Sequence, residues 1–321
     1  MKIKHVLTMV CAAALLAACG EESLTAEPQD NALRLQSVSM AEDGDARNTR
    51  ASLGATAITK IGVYVTDNGH TALAENAQST FELKSGTWSC TAPPKITVEN
   101  TATPDFVYGF YPATGTVTNS STGNHTIPVQ VAADNFSASL QTDYLYASPQ
   151  PVHAGKRSVS FEMQHALAKV SFSILKSKFV TEKLTLNKVE IVSSTNRLQQ
   201  GNNGTMNIGT GQLAGLAATG SLTLTGSTEL KELLEQPNVS SLVAPMTGKE
   251  TKLSFRLSVR VEGEAEDRVF ETAAVPGDGV QWLAGYHYVY KMTVDKMGGS
   301  LTGIKIEGWK NDANQNTGIG I

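Results

Sequence analysis

The side chains able to do chemistry are few and scattered. The six histidines are His5, His70, His125, His153, His165 and His287, and no pair stands at metal-ligand spacing with a nearby Cys, Asp or Glu. His165 lies in a strand-like stretch and has two readings, a lone ligand or a histidine tied by hydrogen bonds where the strand bulges; the second is the plainer. Asp43 and Asp45 share a Gly-containing loop and offer two carboxylates to calcium, or simply solvate that loop. Tyr286, Tyr288 and Tyr290 recur at period two, which suits a sugar-stacking row or, by default, the core face of a strand. The glycine-rich run Gly201–Gly215 has no Gly-Lys-Ser/Thr element to cradle a phosphate and reads as loops and turns. No nucleophile and base, and no acid and base, can be assembled from these motifs. The expectation is a non-enzymatic protein with no metal site and no cofactor.

Chemistry of another kind stands at the N-terminus. Lys2 and Lys4 precede an apolar run from Val6 to Leu16, too short for a membrane span of ~20 residues. Leu16-Ala17-Ala18-Cys19-Gly20 follows and resembles the bacterial lipobox, in which the cysteine thiol is acylated and becomes the first residue after cleavage. The alternative is an ordinary signal peptide cut elsewhere, with Cys19 incidental. Of three cysteines, Cys11 lies in the leader and Cys19 would carry lipid, which leaves Cys90 without an intramolecular disulfide partner. Cys90 is a reactive nucleophile or, more simply, a small buried filler beside Trp88. Further on, A-E-D-G-D-A-R-N-T-R-A-S (41–52) is a charged loop whose basic residues suit a protease. It is either a solvated linker or the place of a programmed cut after Arg47 or Arg50.

These residues have to be positioned by strands. The chain has 321 residues, enough for about two domains of ~100–150 residues each. It is rich in Thr, Ser, Asn and Gly, and with a net charge of −4 it offers no basic surface to nucleic acid. In the central stretch, Val159, Phe161 and Met163 alternate with polar residues; Val170, Phe172 and Ile174 then alternate on the opposite parity. The switch at Ala166–Lys169 demands one long kinked strand or two strands end to end, leading out of one β-sandwich and into the next. Strands are also expected around Leu33–Met40, over Ala57–Thr66, within Phe81–Ser89 and Val107–Pro112, and over Ile127–Val131. After the central stretch they are expected at Leu184–Val192 with a parity shift near Asn187, at Leu222–Leu224, over Leu253–Val261 and Val269–Val275, and within Gln281–Val294 and Leu301–Trp309. Thr114–Asn124 reads as a hairpin loop, and Arg197–Gly211 as an Asn/Gly-rich segment with little core. One short helix is expected over Ser227–Glu235, capped by Ser227 or Thr228, apolar at Leu230, Leu233 and Leu234, and stopped by Pro237.

Several segments, in order, carry a family resemblance: the lipobox at Cys19, I-x-x-I-G-V-Y-V at 58–65, Y-G-F-Y-P at 108–112 and D-Y-L-Y-A at 143–147. F-x-M-x-H-A-L-A-K-V at 161–170, W-L-A-G-Y-x-Y-x-Y at 282–290 and I-x-I-x-x-W at 304–309 complete the set. The chain resembles the fimbrillin-like proteins of the Bacteroidetes, the subunits of their protease-processed pili. The resemblance implies an all-β fold of two tandem transthyretin-like β-sandwiches. It implies a signal peptide at 1–18, a pro-segment at 19–50, and sandwiches at 51–158 and 159–321. It also implies export through the periplasm to the outer membrane as a lipoprotein, then cleavage by an arginine-specific protease, here after Arg47 or, as favoured, Arg50. The cut would release the first strand and open a groove for a strand from the C-terminal region of a neighbouring fimbrial subunit. Only twelve residues follow Trp309, and Ile319 and Ile321 are their strong apolar members. Stalk, tip, accessory and anchor roles therefore stay open. So does a non-polymerising surface lipoprotein that binds glycan or protein through loops such as Asn119–Asn124 and Arg197–Gly211.

Overall fold

A computed structural model describes residues 31–41, 58–73, 77–96, 103–295 and 299–308. All of them fall in one unit, Asn31–Ile321. Strands are numbered along the chain, and the described residues form four sheets. The largest runs in the order β1 (Arg34–Met40), β10 (Ser158–His165), β8 (Leu145–Tyr146), β5 (Asp105–Tyr111), β2 (Lys60–Thr66), β3 (Gln78–Lys84) and β4 (Thr87–Ser89), with β9 (Gln150–Val152) also on β5. A smaller sheet holds β14 (Leu213–Ala214), β13 (Leu198–Asn207), β7 (Asn124–Val131) and β6 (Thr118–Ser121), with β15 (Ala217–Thr219) on β13. The other two are four-stranded. One is β17 (Val239–Val243), β11 (Ala168–Lys176), β20 (Tyr286–Val294) and β21 (Gly299–Gly308). Its partner is β16 (Ser221–Glu229), β12 (Leu184–Ser193), β18 (Leu253–Val261) and β19 (Asp267–Glu271).

Period two explains which core each strand serves. In β2, Ile61, Val63 and Val65 enter one apolar cluster while Tyr64 enters another on the opposite face. In β5, Val107 joins the first cluster and Tyr108 and Phe110 the second. The large sheet is thus covered on both sides. Its first cluster draws on its own strands and flanking loops, including Leu33, Leu35, Phe81, Ile96, Phe161 and Met163. Its second face packs on Ile127, Val129 and Val131 of β7 and Met206 of β13. A third core lies between the two four-stranded sheets, where Phe172, Phe255 and Tyr290 sit with ring centroids 4.7–5.7 Å apart and Trp282 Nε1 donates to Tyr290 Oη at 2.9 Å.

The parity switch in the central stretch is resolved as two strands end to end. Val159, Phe161 and Met163 of β10 fill the first core, Ala166 and Leu167 the second, and Ala168, Val170, Phe172 and Ile174 of β11 the third. The expected shift near Asn187 is a bulge: the register of β12 slips between Leu186 and Lys188 against both neighbours, and Asn187 turns out to donate to the Asp267 carboxylate at 3.0 and 3.1 Å.

Two expectations are corrected. Ser227–Glu235 is not a helix. Ser227, Thr228 and Glu229 belong to β16, where Thr228 pairs with Leu186 and Glu229 with Thr185, and the chain beyond is irregular. Pairing a β-branched strand along β12 satisfies the backbone and buries Leu222, Leu224 and Leu230, whereas Leu233 is 81% exposed, so no apolar helical face has anything to pack against. Arg197–Gly211 is not a coreless loop either. It holds β13, with Leu198, Met206 and Ile208 fully buried. Its glycines serve close packing: a Cβ on Gly204 would lie 2.6 Å from Leu216 and 2.9 Å from Val129. Among the described residues the helical structure is one 3-10 turn, Ala138–Leu140.

A second close approach makes a test of the large sheet. Gly62 faces Phe110 across β2 and β5, and a Cβ there would sit 2.2 Å from the Phe110 ring. Gly62→Ala is expected to lower unfolding free energy by about 1–3 kcal/mol, the range for overpacking a full core. Urea denaturation at unchanged m-value checks this.

Candidate functional site

The large sheet is closed by its first strand. Seven residues of β1 run parallel to β10, from Arg34 opposite Ser158 to Met40 opposite Met163, with a bulge between Leu35 and Ser37. Arg34 N–H donates to Arg157 O at 2.9 Å and Ala41 N–H to Met163 O at 2.7 Å. At its start the same strand reaches the far end of the sheet. Leu33 N–H donates to Pro94 O at 2.8 Å, Ile96 N–H donates to Asn31 O at 2.9 Å, and Ala32 bridges Lys95. The first strand therefore zips β10 to the segment beyond β4, and the sheet wraps its own core. Leu33 and Leu35 are buried in that core, and Val38 and Met40 lie partly buried against it. Burying a leucine is worth about 1.5–3 kcal/mol. Without β1, a slot about 23 Å long would open along β10, lined by unpaired backbone groups and by Phe161 and Met163.

The motifs noted in the sequence meet beside this slot. Phe161 lies over Gly109, where a Cβ would come within 2.8 Å of the ring, so the glycine of Y-G-F-Y-P makes room for the phenylalanine of F-x-M. Asp143 Oδ2 stands 2.8 Å from His165 Nδ1, tying D-Y-L-Y-A to the end of β10. His165 is buried with the carboxylate as its neighbour, which fits the histidine fixed at a strand end rather than a lone ligand. Cys90 is partly buried and packs on the same core as Trp88. Tyr288 and Tyr290 face the core, while Tyr286 stands at the strand end, 36% exposed. Cys19, Arg47, Arg50, Asp43 and Asp45 lie outside the described residues. Among the described residues no three His, Cys, Asp or Glu side chains gather as a metal-binding group.

Two polar clusters, one buried and one partly buried, were not read from the sequence, because their members lie far apart along it. In the first, Glu250 is fully buried and accepts hydrogen bonds from Ser193 Oγ, Ser194 Oγ (3.2 Å), Thr195 N (3.1 Å), Thr195 Oγ1 (2.8 Å) and Lys252 N (2.8 Å). Burial alone would raise its pKa, but the donors from Ser193, Lys252 and Thr195 outweigh it and hold the carboxyl at about 2. The second cluster lies between the large and small sheets. Asn119 Oδ1 contacts His125 Nδ1 at 2.6 Å, Asn119 Nδ2 donates to Tyr64 Oη at 2.8 Å, and His70 Nδ1 and Tyr108 Oη are 3.0 Å apart. The His125 ring packs 5.0 Å from Tyr64 and 5.2 Å from Tyr108. Burial, then the neighbouring charge of His70, pushes the His125 pKa below its usual 6.5.

These shifts predict acid sensitivity in two steps. Folded His125 refuses a proton that the unfolded chain accepts, so its contribution is intact above pH 6.5 and erodes below it. His125→Gln is expected to flatten the fall in melting temperature between about pH 7 and 5. Glu250 contributes fully above pH 4.5 and loses that contribution as pH falls toward 2. Glu250→Ala, which leaves buried hydroxyls and amides unpaired, should cost about 1–3 kcal/mol at neutral pH. Thermal melts across pH check both.

Comparison with known proteins agrees with the architecture. A family model described as fimbrillin-like matches residues 49–309. No curated protein matches. Among solved structures, a candidate cell adhesion protein from Bacteroides ovatus is 19% identical with a TM-score of 0.58, over 87% of this chain and 98% of that one. A fimbrial protein from Bacteroides vulgatus is 13% identical with a TM-score of 0.54, over 87% and 99%. A candidate cell adhesion protein from Bacteroides uniformis is 20% identical with a TM-score of 0.53, over 88% and 100%. At these identities the likeness is one of fold. The family match spans most of the chain, and on it this protein belongs to the fimbrillin-like family.

Proposed function

We propose that this chain is a structural subunit of a cell-surface fimbria, a stalk, tip or accessory piece with no catalytic role. In this reading residues 1–18 are the export signal, and Cys19 carries a lipid that anchors the precursor to the outer membrane. Residues 19–50 are a pro-segment removed by an arginine-specific protease after Arg50, or after Arg47. The rest forms two transthyretin-like sandwiches divided along the chain near residue 158, the first completed by β10 and by β13–β15 from beyond that point, with the passage between them running through β10 and β11.

The observation that carries the reading is β1. It lies upstream of both arginines, yet it supplies buried Leu35, next to buried Leu33 just before it, and the backbone that covers β10. A cut in the segment between Ala41 and Ile58 severs it from everything downstream, leaving it held by a bulged set of backbone pairs and a few apolar contacts. Once it leaves, the slot presents an unpaired edge and an apolar floor. Both are satisfied by one extended strand from a neighbouring subunit, the usual physics of strand addition.

The test is the N-terminal residue and mass of the protein taken from its native cell surface. A start at Ala51 is expected, and Arg47→Ala with Arg50→Ala together should leave the mature protein joined to acylated Cys19 and block its assembly. Wild-type protein that starts at Cys19, or a double variant processed normally, would overturn strand exchange and leave a permanently anchored surface lipoprotein.

A further inference from the structure

The two segments singled out as ligand-binding loops, Asn119–Asn124 and Arg197–Gly211, lie side by side in the small sheet through β6, β7 and β13. Its inner face is locked into the core by Ile127, Val129 and Met206. Its outer face is a groove of about 600 Å³, within the size range of small-ligand sites. Across it, Thr118 pairs with Thr126, Thr126 with Asn207, and Thr205 with Pro128 on one side and Ala214 on the other. Gln212 closes the rim. Rows of side chains thus stand about 4.8 Å apart on a rigid platform.

The chemistry of the lining is uniform. Thr, Asn, Gln, Pro and Ala make up the whole groove, with no carboxylate, ammonium, guanidinium or imidazole. A neighbouring hollow at β3 and β4 is lined by Lys60, Glu82 and Lys84, so neutrality belongs to this face rather than to the surface at large. The Asn207 side chain is fixed from three directions: its Oδ1 accepts from Gly209 N (2.9 Å) and Thr210 N (3.1 Å), and its Nδ2 donates to Asn124 Oδ1 (3.1 Å). Each threonine presents a hydroxyl beside a methyl, and the Gln212 amide a donor beside an acceptor, while the Asn207 amide oxygen is already taken by Gly209 and Thr210. That combination matches a pyranose, which carries hydroxyls around an apolar ring. It lacks the cationic forks that hold phosphate, sulfate and carboxylate most strongly.

We propose that the outer face of β6, β7, β13 and β14 is a binding site for neutral oligosaccharides. With no aromatic platform in the groove, a single site binds weakly, at ~1 mM. Copies repeated on one surface would raise the effective affinity by avidity. The inference does not depend on strand exchange, so an unprocessed monomer serves for the test.

The experiment is an NMR titration of the purified protein with mannotriose, cellotetraose and N,N′,N″-triacetylchitotriose, with sialyllactose as the anionic control, each to ~10 mM. Amide shifts at Thr126, Thr205 and Asn207 with at least one neutral sugar, and none with sialyllactose, are expected. Thr205→Glu, which sets a charge on the exposed side of a strand, should weaken that binding at least fivefold while the rest of the spectrum is unchanged. Gln212→Ala, at the exposed rim, should weaken it about twofold, which keeps the test readable if the first variant unfolds. Shifts confined to other surfaces, equal binding of sialyllactose, concentration-dependent self-association through this face, or no shift at all would each overturn the proposal.

Discussion

The structure depends on one requirement: the exposed side of β10 has to be paired. β10 carries Val159, Phe161 and Met163 into the core of the large sheet, so its edge cannot be left to water without uncovering that core. β1 meets the requirement from one side of the sheet and grips Pro94–Ile96 on the other. Closing the sheet with a seven-residue strand makes the whole first core contingent on a segment that is joined to the remainder only through residues 42–57. The enclosed core and the strand that closes it are therefore parts of one device, and the proposal of strand exchange rests on that dependence.

The rest of the chain is organised around the hand-over at Ala166 and Leu167. Within three residues the backbone passes from one core to another, and the change of parity keeps every large side chain inward through the passage. The halves are also interleaved. β13, far along the chain, pairs with β7 and completes the sheet that covers the second face of β2 and β5. Load applied along the chain would therefore be shared by backbone pairings between distant segments rather than by a single linker.

Buried polar groups pin the joints. Glu250 gathers the turn after β12 and bridges Val280 just before the Trp282 motif. Asn119, His125, Tyr64, Tyr108 and His70 lock the hairpin of β6 and β7 to the large sheet. Such networks stabilise only when every partner is in place, and this ties their strength to pH through Glu250 and His125.

Much of the fold was legible from period and parity alone. The all-β class, the extent of Leu253–Val261, the slip at Asn187 and the change of parity within Val159–Leu175 follow from which residues must face inward, a local property of the chain; that the passage is two strands rather than one kinked strand came from the fold. Ser227–Glu235 and Arg197–Gly211 misled, for opposite reasons. The first has helical spacing but no surface to bury it, while β12 offers it a partner; the second has little apolar content, yet its glycines let a strand pack where side chains would not fit. Of the candidate site, the sequence named Cys19, Arg47 and Arg50 only as candidates for processing, and showed a strand near Leu33–Met40. Only the tertiary structure decided that this strand closes the large sheet, that Glu250 and His125 are held by distant partners, and that two polar segments form one neutral groove. Periodicity fixes the face a residue presents, whereas the identity of the neighbour depends on pairings between strands far apart in sequence, which no local pattern encodes.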